Sequence, residues 1–132
     1  IEGYLIETVL IKDNMIKLAE NVFEPLRSYA NGPIKINSFY RSPELNKAIG
    51  GSSKSQHCNG QAIDIDDTFG VLTNAEMYEF VKKHLDFDQM IWEFGDEDNP
   101  NWVHVSYVSE NENRNRCLQA YKENGRTKYK VI

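Results

Sequence analysis

The sequence is short of cysteine, of long apolar runs and of concentrated positive charge, and each shortage removes a class of protein. Two cysteines, Cys58 and Cys117, allow one disulfide at most, so a disulfide-stapled scaffold is excluded. No stretch approaches the ~20 apolar residues needed to cross a bilayer. The first eleven residues carry Glu2 and Glu7 and no basic segment, so they do not read as a signal peptide. A net charge of −5, with acids and bases interspersed, lacks the basic stripe of a nucleic-acid binder. The Gly50–Ser55 loop lacks the Gly-Lys-Ser/Thr ending of a phosphate-binding loop. Repeats and low-complexity linkers are also missing. At 132 residues the chain reads as one soluble domain, 1–132, large enough to bury about two-thirds of its unfolded surface.

What is present is a regular alternation of helix and strand signals. From Asp13, a suitable N-cap, to Ala30, apolar residues at Ile16, Ala19, Val22, Phe23 and Leu26 follow a single helical face. Asn31-Gly32-Pro33 stops that helix. Alternation from Ile34 to Tyr40 predicts a strand leading directly to Arg41. Ser42-Pro43 opens a short helix to Ile49, and Thr73 with Glu76 forms a capping box for a helix ending near Leu85. Gln61–Asp66, Gln89–Phe94 and Asn101–Tyr107 read as strands, the last two joined by an acidic turn, and Asn124-Gly125 favours a hairpin between Cys117 and Ile132. These elements predict an α+β domain, a small and mostly antiparallel sheet flanked by helices.

The chemistry concentrates in Ser55-Gln56-His57-Cys58-Asn59-Gly60-Gln61-Ala62-Ile63-Asp64. His57 and Asp64 flank a turn-capable Asn59-Gly60, and strand alternation puts Trp102, His104 and Ser106 on one face of a later strand. Two imidazoles and a carboxylate suit Zn²⁺, and three protein ligands leave a fourth position for water, as in catalytic rather than structural zinc sites. Such a metal lowers the pKa of water and polarises a carbonyl, so hydrolysis needs no protein nucleophile. Cys58 adjoins His57 but points the opposite way on an extended segment.

This ten-residue stretch fits Ser-x-His-x-x-Gly-x-Ala-x-Asp at all five defined positions and resembles the zinc D-Ala-D-Ala carboxypeptidase family, which includes phage endolysins and shares the hedgehog/DD-peptidase fold. Trp102-Val103-His104 resembles the family's late Trp-x-His strand, and Arg41 stands where the family carries an arginine. The resemblance covers about residues 34–107. It implies zinc held by His57, Asp64 and His104, with Asp66 outside the ligand set. It further implies substrate binding by Arg41 and Ser55, and hydrolysis of a peptide bond in a peptidoglycan stem peptide.

Arg41 offers a planar fork for a peptide carboxylate or a developing oxyanion. Some family members place an acid three residues before the last histidine, where this chain has Asn101, so the general base must come from elsewhere. Glu93 stands between Trp92 and Phe94 on the preceding strand, where a carboxylate is costly without a task or a partner. A salt-bridged edge-strand acid is the other reading of Glu93, and Asp96, Glu97 and Asp98 in the acidic turn are the rival bases. The implied activity is a D-Ala-D-Ala carboxypeptidase or an endopeptidase, working as a monomer at the bacterial wall or periplasm or made as a phage lysin in the host cytoplasm. A catalytically silent hedgehog-like zinc module that binds a wall peptide or a protein partner is the alternative, and Glu93 discriminates the two.

Overall fold

The computed structural model describes residues 2–132, with the side chains of Glu2 and Tyr4 left aside. The chain opens with a long helical rod: α1 (Glu2–Leu18), one π-helical turn (Ala19–Phe23) and α2 (Glu24–Ala30). Asp13 therefore does not cap the first helix but lies inside α1, which begins eleven residues earlier. No strong helix breaker stands between Tyr4 and Asn14, and propagation of an established helix costs little. The extension escapes a burial-periodicity argument because Leu5, Ile6, Val9 and Leu10 are all exposed. Pro25 accounts for the π turn. It cannot donate to the Asn21 carbonyl and its ring would crowd it, so the ladder widens and the Glu24 N–H bonds to Ala19 O.

Six strands follow in the sheet order β1-β2-β4-β3-β5-β6. They are β1 (Lys35–Ser38), β2 (Ala62–Asp66), β3 (Gln89–Glu93), β4 (Trp102–Ser106), β5 (Arg116–Glu123) and β6 (Arg126–Val131). Every pairing is antiparallel except β3 with β5. The predicted α+β class and mostly antiparallel sheet are what the chain adopts. The short helix α3 (Pro43–Ala48) starts at Ser42, whose side chain accepts from Leu45 N–H, and α4 (Asn74–His84) carries the Thr73–Glu76 capping box. Asn124 and Gly125 both take positive φ and turn β5 into β6.

Alternation along the strands gives the sheet two different faces. Ile63, Ile65, Met90, Val103 and Val105 point to the helices and pack with Leu18, Val22, Leu26, Met77 and Val81 in the principal core. Tyr29 of α2 stacks on Phe80 of α4 with ring centroids 4.2 Å apart. The opposite face carries a smaller cluster of Ile91, Leu118 and Ala120, and beside it the polar residues Asp64, Glu93 and His104. The helical layer thus leaves one sheet face free for chemistry.

Candidate metal centre and cleft

Register brings the polar residues together. Asp64 on β2 is the direct cross-strand partner of His104 on β4, and Ser38 on β1 pairs with Asp64 from the other side, after an irregularity between Ile36 and Ser38. The third group comes from a 3₁₀ turn, Gln56–Asn59, capped by Ser55 Oγ, which accepts from His57 N–H at 3.2 Å. Gly60 ends this turn at φ 69°, and a Cβ there would lie 2.8 Å from Met15 Cγ and 2.9 Å from the Ile11 carbonyl. Glycine is thus required both by the left-handed backbone and by the close approach of α1. Asn14 of α1 also donates to Asn59 O at 3.0 Å, tying the rod to the turn.

His57, Asp64 and His104 each offer a ligand atom, all within 4.8 Å of one another. His57 Nε2 lies 3.3 Å and His104 Nδ1 3.0 Å from separate oxygens of Asp64. His57 Nδ1 lies 2.8 Å from Phe39 O. A carbonyl only accepts, so Nδ1 carries a proton and Nε2 is the nitrogen turned to the carboxylate, free to serve as a ligand atom. Burial opposes the charge on Asp64, but hydrogen bonds and charge from His104 and His57 outweigh it and hold its carboxyl well below the usual carboxylate range. Two imidazoles and an ionised carboxylate on one point are a donor set that fits Zn²⁺.

Arg41 is fixed beside this cluster. Its guanidinium donates to Asn46 Oδ1 and to Ser38 Oγ, both at 3.1 Å, and lies 3.7 Å from Asp64. Glu93 is buried on β3, an interior strand between β4 and β5, and makes no ion pair or side-chain hydrogen bond among the described residues. The salt-bridged edge-strand reading of Glu93 does not hold. Desolvation, and then the negative charge of Asp64, push its carboxyl up to about 7. The next residue, Phe94, takes φ 57°, uncommon for a bulky side chain, and Gly95 continues at φ 72°, where a Cβ would collide with Asn99 O. Strain of this kind adjoins functional positions.

A cleft of about 480 Å³ is lined by Arg41, Ser55, Glu93 and His104, with His57 and Asp64 set behind its wall. A larger groove, about 610 Å³, lies where α4 ends against β5 and β6, and contains none of them.

Several sequence-level alternatives are resolved by position. Asp96 Oδ1 accepts from the backbone of Asp98 and Asn99, and Asp96, Glu97 and Asp98 form an exposed turn outside the cleft lining. Asp66 accepts from Asn74 Nδ2 at 2.8 Å and fastens the start of α4. Cys58 and Cys117 are both free, and Cys58 is not in the ligand cluster.

A sequence profile of one protein family, described as Peptidase M15, matches residues 5–106. The chain belongs to the Peptidase M15 family. The match covers most of the rod, the turn carrying His57 and strands β1 to β4, so His57, Asp64 and His104 all lie within it, and the α+β sheet is consistent with the family's hedgehog-like fold. No curated protein matches the chain. Strands β5 and β6 of this M15 chain lie beyond the matched residues, yet they complete the sheet on the side of Glu93.

Three contributors to the cleft carry no sequence signal of their own. Gln56 Nε2 donates to Asp88 Oδ2 at 2.8 Å, and Arg114 grips the same carboxylate through Nε at 2.9 Å and Nη2 at 2.8 Å. Tyr129 reaches the lining from β6.

Proposed function

We propose that this M15 chain is a zinc peptidase that hydrolyses peptide bonds in peptidoglycan stem peptides, as a D-Ala-D-Ala carboxypeptidase or an endopeptidase. The observation that carries the reading is the convergence of His57, Asp64 and His104 within 4.8 Å, where His104 reaches an open cleft together with a buried Glu93 that has no partner among the described residues. His57, Asp64 and His104 would hold the ion, and the chemistry supplied there would be polarisation of the scissile carbonyl and a lowered pKa for water.

The protein's own groups do the rest. Arg41, already braced by Asn46 and Ser38, keeps donors free for a substrate carboxylate or for the oxygen that gains charge during attack. Glu93 takes a proton from the attacking water and returns it to the amine nitrogen as the C–N bond breaks. A carboxyl near pH 7 is suited to both transfers. Ser55 holds the ligand turn through its cap and presents its hydroxyl at the cleft wall.

Digestion of purified peptidoglycan by zinc-loaded and by chelated protein tests the reading, with released peptides identified by mass spectrometry. Defined peptides appearing only with zinc support it, and their masses name the bond. No release in either case, with zinc bound at the three ligands, contradicts it and favours a silent binding module.

A further inference from the structure

The cleft continues past Glu93, across the sheet, to the C-terminal hairpin. Glu93 on β3 is the register partner of Ala120 on β5, and Ala120 is the partner of Tyr129 on β6, so the three stand in one row on the same face. Ala120 is fully buried in the small apolar cluster with Ile91 and Leu118, so the polar groups of this row are those at its two ends, Glu93 and Tyr129. Tyr129 lines the same cleft as Glu93, His104 and Arg41, and its hydroxyl has no hydrogen-bond partner among the described residues. Burial, and then the charge of Glu93, raise its phenol above the ordinary value, so the hydroxyl keeps its proton and stays a donor.

We infer that Tyr129 forms an outer substrate subsite, its hydroxyl donating a hydrogen bond to a peptide that runs across the strands from the bond at Glu93. Two strand spacings separate the backbones of Glu93 and Tyr129, roughly 10 Å. An extended peptide covers that span in about three residues. The occupant is therefore a peptide of several residues rather than a free dipeptide. Contact that far from the reacting carbonyl persists equally in ground and transition states, so it acts on KM and not on kcat. This inference rests on the peptidase reading above.

Steady-state kinetics of the zinc-loaded full chain on a soluble muropeptide with its complete stem peptide test it, wild type against Tyr129→Phe. Phenylalanine keeps the aromatic ring on β6 and removes only the hydroxyl. KM rises about tenfold in the variant while kcat stays within about twofold, as expected for one lost hydrogen bond to a remote part of the substrate, and zinc content and melting temperature do not change. An unchanged KM overturns the subsite and leaves the peptidase reading standing. A fall in kcat with KM constant also overturns it, because it places Tyr129 at the reacting carbonyl. If the wild type cuts neither the muropeptide nor intact peptidoglycan, the peptidase reading fails and the subsite falls with it.

Discussion

At the scale of single residues, Glu93 is kept in a position that serves stability poorly. Its folded carboxyl stands near 7 against an ordinary 4.5, so the folded state binds a proton that the unfolded chain has already lost. Stability from this group is present below the ordinary value and is lost as pH rises through about 7. In metal-free protein, Glu93→Gln should accordingly melt like the wild type at pH 4.5. At pH 8 it should melt higher, by an amount on the order of 1–3 kcal/mol. Thermal denaturation at the two pH values checks this, and equal melting at pH 8 means that the carboxylate is better solvated than its burial implies. The three proposed ligands were legible because they sit in local motifs, His57 and Asp64 within one turn and strand, and His104 on an alternating strand. Asp88 and Tyr129 were not. Their partners lie 26 to 36 positions away, and only long-range register brings them near: Asp88 to Arg114 and Gln56, Tyr129 to the row of Glu93.

At the scale of elements, the 3₁₀ turn that carries His57 is held from three directions. Ser55 caps it, α1 presses on Gly60, and Gln56 is drawn to Asp88 at the start of β3. The hydrogen bonds of Arg114 outweigh burial at Asp88, and with Gln56 they hold its carboxyl below the ordinary range. The resulting stability is therefore present above the usual carboxylate value and disappears as pH falls through it. Asp88→Asn should weaken zinc binding about tenfold and destabilise by roughly 1–3 kcal/mol at pH 7, the lower part of the range for a buried pair because half of Arg114 is in water. The deficit should shrink in acid. Zinc titration and denaturant melts at pH 7 and pH 3 measure both effects. Zinc affinity equal to wild type would show that the turn is held without Asp88. Local signals marked the element boundaries at Ser42, Thr73 and Asn124-Gly125, whose caps and turn all form, but the capping signal at Asp13 misled. The start of α1 was not, because a helix whose apolar side chains stay exposed leaves no buried stripe to count.

At the scale of the whole molecule, the fold divides its labour between the two faces of one sheet. The helical rod and α4 bury one face and supply the core, while strand register on the other face assembles groups from β1, β2, β3 and β4 and from the ligand turn. The matched family region contains that assembly, and the β5–β6 hairpin extends the wall beyond it, with Lys128 and Lys130 on its outer strand discouraging further strand pairing. None of the strands is functional alone. On the proposed function, the assembled face hydrolyses a wall peptide with Glu93 moving the proton. The most direct test is digestion of purified peptidoglycan by wild type and Glu93→Gln, both with one equivalent of zinc verified, with products followed by mass spectrometry. Defined peptides are expected from the wild type, with a rate at least about 100-fold lower from the variant at equal metal content. Full activity of zinc-loaded Glu93→Gln would contradict the role of Glu93 as proton carrier.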